Sequence, residues 1–261
     1  MIPLFVPADR PERYAKAASS ADAAILDLED AVAPERKSFA RDAVASALRS
    51  PNAYWIRINA IGTDDGAADL SMLEGGPRPE AVVVAKAASA HDVRHLVGRL
   101  PGTRIYALIE TIAGIVNLEA IAAVPGLSGL VFGAYDLCAE LGARVTAEVL
   151  APWRAQIVLT ARRFGLDAID TPFVDLSDPE GLSMDARRGA DFGFTGKLAI
   201  HPQQVAVIRA AFMPSADEIA RAQTIIERFA SGITVVNGTM IDAPLLALAR
   251  QTLERANGRS T

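Results

Sequence analysis

Two acidic side chains stand at corresponding places in the middle of the chain, each after an apolar run. Glu110 directly follows the run at residues 104–109, and Asp136 follows the run at residues 127–132. If both runs are neighbouring strands about 4.8 Å apart, the two carboxylates can converge on one point. Hard oxygen ligands with no histidine or cysteine beside them suit Mg²⁺ or Mn²⁺ rather than zinc. Acidic residues at strand ends also cap helices, so the pair alone leaves both interpretations open.

A second acidic group, Asp27, Glu29 and Asp30, ends the apolar run that starts at Ala23. The period of two along a strand places Asp27 and Glu29 on one face. We expect these carboxylates to crowd the same end of the fold as Glu110 and to support the ion site from outside its ligand shell. The alternative is that they cap the start of the helix near Pro34, a role that Asp30 could fill.

Two cations also lie in or directly after apolar runs. Arg57 stands inside the run at residues 54–58, and Lys86 follows the run at residues 81–85. Burying a guanidinium without an anionic partner costs several kcal/mol, so Arg57 either pairs with an internal carboxylate or faces a carboxylate or enolate of a ligand. Lys86 could likewise pair with an internal carboxylate or face a ligand, and it is a weaker candidate for the site than Arg57. Arg57 is therefore a candidate substrate-binding and catalytic residue, and Lys86 a candidate supporting residue.

The three histidines are weaker candidates. His91 and His95 are four residues apart but lack the pattern of a zinc-binding helix, which favours a surface pair. His201 precedes Pro202, a residue suited to open a helix, and it either lines the site or holds the loop. The chain has no Gly-x-Gly-x-x-Gly, P-loop or Gly-x-Ser-x-Gly motif, which disfavours dinucleotide redox chemistry, NTP hydrolysis and serine hydrolysis.

The elements that must position these residues follow a repeating order of short apolar runs and longer amphipathic stretches. The predicted strands are residues 2–6, 23–28, 54–58, 81–85, 104–109, 127–132, 168–169 and 192–194. Eight strand–helix pairs close a TIM (β/α)8 barrel more naturally than they form an open sheet, and the chemistry of such a barrel lies at the carboxyl ends of its strands. We predict a barrel over residues 1–213 and a C-terminal helical extension over residues 214–261, with no strand in the extension. An extension of this kind usually packs on a neighbouring subunit or caps one end of the barrel, and we expect an oligomer.

Composition limits the other possibilities. The 261 residues carry 26 basic and 31 acidic side chains, a formal charge of −5, and are 51% hydrophobic. The negative net charge disfavours nucleic-acid binding, as does the fact that the basic doublets lie in helical patterns that also contain acidic residues. The longest run without a charged residue is too short for a membrane span. The N-terminus does not resemble a signal peptide. The single cysteine, Cys138, excludes an internal disulfide, and a cytoplasmic protein is expected.

Seven segments, in order along nearly the whole chain, resemble the citrate lyase β-subunit-like (CitE-like) family of the HpcH/HpaI aldolase superfamily. They are LFVPADRPER at 4–13, DLEDAV at 27–32, RIN at 57–59, IET at 109–111, FGAYDL at 132–137, IHPQQ at 200–204 and GTMIDAP at 238–244. The resemblance implies a TIM barrel with a Mg²⁺ ion held by Glu110 and Asp136. It also implies cleavage of a short 3-hydroxyacyl-CoA thioester, such as citramalyl-CoA, malyl-CoA or citryl-CoA, to acetyl-CoA and a 2-oxo acid.

The resemblance implies further roles and an assembly. Asp242 sits on a motif that a neighbouring subunit contributes to the site, which implies a homotrimer or a dimer of trimers. Family contacts to CoA map to Phe5, Arg13 and Lys16, and Glu110 would also contact substrate. In the resulting hypothesis Arg57 stabilises the enolate oxyanion of acetyl-CoA while Asp242 protonates its carbon. Three alternatives remain open: a β subunit that depends on a citrate lyase complex, a class II aldolase that acts on free 2-oxo acids without CoA, and a non-catalytic subunit that binds CoA esters.

Overall fold

The computed structural model of the chain describes residues 1–229, 234–236 and 238–257. Its centre is an eight-stranded parallel sheet in which the strands pair in sequence order. The strands are β1 Pro3–Pro7, β2 Ala23–Asp27, β3 Tyr54–Ile58, β4 Ala81–Val84, β5 Arg104–Ile109, β6 Leu127–Phe132, β7 Asp167–Asp170 and β8 Gly196–Lys197. Hydrogen bonds from Phe5 N to Ala199 O and from Ala199 N to Pro3 O, both 2.9 Å, join the last segment to β1. The predicted (β/α)8 barrel is therefore confirmed.

Helices connect the strands and cover the outside of the barrel. They are α1 Tyr14–Ser20, α2 Lys37–Ala47, α3 Asp64–Glu74, α4 Ala90–Arg99, α5 Ile112–Val116, α6 Leu118–Ala122, α7 Ala134–Leu141, α8 Ala147–Phe164, α9 Pro179–Phe192 and α10 Pro202–Phe212, with short 3₁₀ helices at Pro11–Arg13 and Pro34–Arg36. Several start where the side chain of a Ser, Thr or Asp accepts a hydrogen bond from a backbone N–H of the first turn, as Thr63 does from Gly66 N at 3.0 Å. Such caps satisfy N–H groups that have no partner inside the helix.

The interior of the barrel is a packed core of side chains that alternate along the strands, as expected for a closed eight-stranded sheet. Trp55 and Tyr106 stack at 4.6 Å between ring centroids, and the Tyr106 hydroxyl donates to Asp167 at 2.8 Å. A Cβ at Gly129 would lie 2.6 Å from the Tyr106 ring, so only glycine fits there. The filled interior leaves the carboxyl ends of the strands as the place for a site.

The structure corrects several predicted elements. Residues 192–194 are not the eighth strand, because Phe192 ends α9 and Gly193 takes the left-handed conformation that terminates the helix, with φ 99°. The strand follows at Gly196–Lys197. The amphipathic stretch at residues 113–122, whose pattern predicts one helix, is two short helices that meet at Asn117. The helix α7, which carries Asp136, was not predicted.

The chain forms two compact units, Met1–Ile208 and Arg209–Thr261. The second contains α11 Ala216–Arg228, an antiparallel pair of strands β9 Thr234–Val236 and β10 Thr239–Ile241, and α12 Ala243–Ala256. The expectation that the extension has no strand was therefore wrong. Its small core joins residues of α11, β10 and α12. The predicted boundary at residues 213/214 and the packing on a neighbouring subunit stay predictions.

Within the described residues, none of the helices combines the length and the hydropathy that crossing a membrane requires.

Candidate active site

A cavity of about 370 Å³ opens at the carboxyl ends of the barrel strands. Its walls combine acidic side chains, one arginine and a majority of apolar residues: Phe5, Pro7, Asp27, Asp30, Ala31, Arg57, Leu108, Glu110, Phe132, Gly133, Ala134, Tyr135, Asp136, Thr171, Pro172, Val174, Leu198 and Ile200. A concave apolar site with a few convergent polar groups is the typical form of a small-molecule site. In a barrel of this kind, this end is also where catalysis takes place.

Glu110 lies at the bottom of this site, directly after β5, and only 2% of the residue is exposed. Its Oε1 accepts a hydrogen bond from the backbone N–H of Lys86 at 2.8 Å. Burial raises the pKa of the Glu110 carboxyl to about 8, although the Lys86 N–H and the charge of Arg57 oppose the shift. The nearby charges of Glu29 and Asp136 add to it. A positive charge added next to Glu110 would therefore be favourable, because it would stabilise the ionised carboxylate.

Asp136 reaches the same cavity from a helix rather than from a strand end. β6 stops at Phe132, the N–H of Gly133 donates to Ile109 O at 3.0 Å, and α7 begins at Ala134. Asp136 is thus in the first turn of α7, where the helix dipole favours a negative charge. The prediction that β5 and β6 bring the two acids together is supported by the cavity that both line.

Gly133 separates β6 from α7 and packs directly against Glu110. A Cβ at this position would lie 2.6 Å from Glu110 Oε2 and closer still to the Cβ of that side chain. The Glu110 Cβ is attached directly to the backbone, so it cannot give way as the end of a flexible side chain could. Only a residue without a side chain lets β6 pass this close to the carboxylate.

Gly133→Ala is therefore expected to displace the Glu110 carboxylate and to weaken Mg²⁺ binding about tenfold or more. Isothermal titration calorimetry with MgCl₂ measures this effect. Gly98→Ala is the matched control, because a Cβ there meets nothing within 4 Å. It replaces a helical glycine of α4, so we expect unchanged Mg²⁺ affinity and a gain in stability of roughly 0.5–1 kcal/mol. Equal Mg²⁺ affinity in the two variants would contradict the role given to Gly133.

Arg57 is held by two carboxylates of β2 and the segment after it. Its Nε and Nη2 donate to Asp27 at 2.7 and 2.6 Å, and its Nη1 lies 3.0 Å from Glu29 Oε2. Burial opposes its charge, but Asp27 and Glu29 outweigh that effect and raise the pKa of Arg57. The guanidinium also lies over the ring of Phe5, 4.7 Å from the centroid. Arg57 thus pairs with internal carboxylates, one of the two predicted alternatives, and also lines the cavity.

Lys86 connects the two acidic groups. Its ammonium forms an ion pair with Glu29 and lies 3.7 Å from Asp30, while its backbone N–H binds Glu110. Its φ of 51° is in the left-handed region, which costs a non-glycine residue about 1–2 kcal/mol. The conformation directs the N–H at Glu110 and the side chain at Glu29.

The remaining predicted site residues lie in different places. Phe5 lines the cavity, whereas Arg13 and Lys16 are exposed residues near the start of α1 and are not part of the cavity wall. His201 Nδ1 accepts a hydrogen bond from Gln203 N at 3.3 Å, which fits the loop-holding alternative. Asp242 lies in the second unit, where its side chain accepts from Leu245 N and begins α12.

The donor set fits a Mg²⁺ ion that is completed by substrate and water. Over the described part of the chain, no three or more His, Cys, Asp or Glu side chains form a ready-made metal cluster. The cavity wall has no histidine or cysteine, and of its four acidic residues Asp27 is already paired with Arg57, while Glu110 and Asp136 are the two that follow β5 and β6. Mg²⁺ is usually bound in this way, through one or two carboxylates while it keeps several waters.

Sequence reasoning missed a second charged group beside the cavity. Arg154, Asp170 and Lys197 are fully buried, and Asp185 completes the group with salt bridges to Arg154 and Lys197. The signal available was Asp170 after the short predicted strand at residues 168–169, which places one more carboxylate at the end of a strand. Thr171, the next residue, lines the cavity.

The model of the family described as HpcH/HpaI aldolase/citrate lyase matches residues 1–202. The chain is 40% identical to a citrate lyase subunit beta-like protein of Mycobacterium tuberculosis, over 97% of this chain and 94% of that protein. It is 35% identical to a (3S)-malyl-CoA thioesterase of Cereibacter sphaeroides (97% and 93%) and 32% identical to the mitochondrial citramalyl-CoA lyase of Homo sapiens (97% and 84%).

A solved structure is similar over the same extent. The crystal structure of CitE from Mycobacterium tuberculosis, in complex with magnesium, acetoacetate and coenzyme A, matches with a TM-score of 0.91 and 40% identity. The match covers 98% of this chain and 97% of that one.

Proposed function

The chain belongs to the HpcH/HpaI aldolase/citrate lyase family, and on this premise we propose that it is a Mg²⁺-dependent carbon–carbon lyase. Its substrate is a short 3-hydroxyacyl-CoA thioester such as citramalyl-CoA, malyl-CoA or citryl-CoA, cleaved to or formed from acetyl-CoA and a 2-oxo acid. The observation that carries the proposal is one cavity lined by Glu110, Asp136 and the doubly paired Arg57. Relatives that act on citramalyl-CoA and malyl-CoA support the substrate class.

Glu110 and Asp136 would hold the Mg²⁺ ion. When bound, the ion would polarise the carboxylate and the adjacent hydroxyl of the substrate and lower the pKa of that hydroxyl. The chain supplies the fixed geometry: the Lys86 N–H orients Glu110, and the first turn of α7 orients Asp136. The apolar walls around them exclude water, which strengthens the electrostatic interactions inside.

Arg57 would stabilise the enolate oxyanion of the acetyl-CoA fragment as the carbon–carbon bond breaks. Its guanidinium cannot swing away, because Asp27 holds two of its nitrogens and Phe5 covers one face. A donor fixed in advance needs no reorganisation when charge develops on the substrate. Arg13 and Lys16, exposed near the cavity strand β1, remain our candidates for the anionic groups of CoA.

Asp242 of a neighbouring subunit would protonate the enolate carbon in the cleavage direction and remove that proton in the reverse direction. Asp242→Asn is expected to lower turnover strongly while substrate affinity stays unchanged. Asparagine caps helices as well as aspartate does, so α12 and the free energy of unfolding should be preserved. Steady-state kinetics with a thermal unfolding measurement tests this, and a fully active Asp242→Asn variant would refute the role.

The proposed activity is tested with purified protein and a panel of short 3-hydroxyacyl-CoA thioesters, with MgCl₂ and with EDTA. The expected result is release of acetyl-CoA and a 2-oxo acid that stops when EDTA removes the metal. Turnover by the isolated chain would exclude dependence on a citrate lyase complex. Cleavage of a free 4-hydroxy-2-oxo acid without CoA would favour the class II aldolase instead.

Thioester hydrolysis is the second candidate, because the chain is 35% identical to a (3S)-malyl-CoA thioesterase over 97% of its length. The two reactions differ in their products. A lyase releases acetyl-CoA and glyoxylate from malyl-CoA, whereas a thioesterase releases free CoA and malate. A thiol-reactive dye measures free CoA, and chromatography measures acetyl-CoA, in the same reaction mixture.

A further inference from the structure

Four charged residues, three of them fully buried, form a neutral cluster on the β7–β8 side of the barrel, next to the cavity. Arg154 donates through Nε and Nη2 to both oxygens of Asp170 at 2.9 Å, and through Nη2 to Asp185 at 2.8 Å. Lys197 donates to Asp170 at 3.1 Å and to Asp185 at 2.6 Å. Buried charges that are paired in this way hold their partners in one arrangement, because breaking one pair leaves an uncompensated charge.

Lys197 extends this cluster to the cavity wall. Its Nζ donates a further hydrogen bond to the backbone carbonyl of Thr171 at 2.7 Å. Thr171 directly follows β7, is 2% exposed and lines the cavity. The position of Thr171 is therefore fixed from beneath by a buried ammonium rather than by local turn geometry alone.

The side chain of Thr171 in turn holds the start of α7. Its Oγ1 accepts a hydrogen bond from the N–H of Ala134, the first residue of the helix, at 3.1 Å. The residue before the helix, Gly133, has no side chain with which to cap it. A second hydrogen bond joins the same two segments: the Tyr135 side chain accepts it from the backbone of Val174.

We infer that Thr171 is a positioning residue for Asp136, because it caps α7 from another loop while Lys197 fixes it from below. Asp136 lies two residues after Ala134, in the turn that this hydrogen bond anchors. The inference rests on the proposed function, in which Asp136 holds Mg²⁺. Thr171 itself touches neither the ion nor the substrate in this role.

Thr171→Val removes the accepting oxygen at nearly constant volume, and Thr171→Ser keeps it. Titration of the full chain with MgCl₂ by calorimetry is expected to show about tenfold weaker binding for valine. Serine is expected to retain the affinity of the unmodified chain. Thermal unfolding in EDTA measures the stability of each variant apart from metal binding. If the valine variant does not fold, Thr171→Ala carries the same expectation.

Thr103→Val is the matched control for loss of a buried hydroxyl. Thr103 is buried at the other end of the barrel, before β5, and its Oγ1 has no hydrogen-bond partner among the described residues. Its substitution should leave Mg²⁺ affinity unchanged. Asp136→Asn calibrates the experiment. If Asp136→Asn weakens Mg²⁺ binding and Thr171→Val does not, the inference alone is overturned; if Asp136→Asn binds Mg²⁺ normally, the metal site itself is overturned.

Discussion

Glu110→Gln is expected to reduce Mg²⁺-dependent turnover about a thousandfold or more. A ligating carboxylate contributes to transition-state stabilisation worth several kcal/mol, and each 1.36 kcal/mol corresponds to a tenfold change in rate. Glutamine keeps nearly the same shape, so the hydrogen bond from Lys86 N and the packing on Gly133 can persist. Burial disfavours ionisation of Glu110, and glutamine cannot ionise, so the metal-free variant should be at least as stable as the unmodified chain.

Stopped assays over a range of MgCl₂ concentrations, combined with thermal unfolding in EDTA, measure both effects. Glu140→Gln is the matched control: Glu140 lies near the end of α7, accepts a hydrogen bond from Ile112 N at 3.0 Å and is outside the cavity. This control should retain full Mg²⁺-dependent turnover. Undiminished turnover in Glu110→Gln would remove Glu110 from the metal site and with it the proposed mechanism.

Arg57→Lys is expected to lower kcat by about 10²–10³ while Mg²⁺ binding persists, because loss of one fixed oxyanion donor has an effect of this size. Lysine keeps the charge but has no planar fork to bind both oxygens of Asp27, and it cannot lie flat over Phe5. The ammonium would therefore be free to follow either carboxylate, Asp27 or Glu29, away from the substrate. The loss should appear in kcat rather than in Mg²⁺ affinity.

Arg41→Lys separates this effect from a general loss of stability. Arg41 also bridges two carboxylates, Asp65 and Asp69, each at 3.0 Å, but it joins α2 to α3 on the outside of the barrel. Its substitution should destabilise the chain to a similar extent without changing kcat. A similar fall in kcat for both arginine variants would mean that Arg57 acts only through folding.

The barrel could be predicted because most of its strands are apolar runs between amphipathic helices. The eighth strand could not, because Gly196–Lys197 has neither the length nor the apolar pattern of a strand. Its place is set by tertiary contacts: Lys197 N donates to Met1 O, and Leu198 N donates to Asp170 O. α7 was missed because it is only eight residues long and is separated from β6 by the single residue Gly133, which leaves no visible break between strand and helix.

Part of the site could also be predicted. Glu110, Asp136 and Arg57 each follow or lie in a recognisable apolar run, and the structure brings them to one cavity. Their roles as ligands and catalyst stay predictions, as do those of Arg13 and Asp242, the trimeric assembly and the cytoplasmic location. The family resemblance read from seven short segments was confirmed by relatives that match nearly the whole chain.

The buried charges beside the cavity were out of reach for a physical reason. Arg154, Asp170, Asp185 and Lys197 come from α8, β7, α9 and β8, and three of them are fully buried. Asp185 and Arg154 each lie in a helix with other charged residues, and in α8 those other charges are at the surface, so the sequence does not single out the buried ones. Their pairing exists only once the four elements have packed together.

Lys86 connects the proposed metal ligand Glu110 with the carboxylate that holds Arg57. One residue, held in a left-handed backbone conformation, binds Glu110 through its N–H and Glu29 through its ammonium. Glu29 in turn pairs with Arg57. In the proposed function a cation at Glu110 and an oxyanion at Arg57 would therefore both contact residues that Lys86 joins. Any change that one of these ligands makes in the affinity of the other must then be reciprocal and of the same factor.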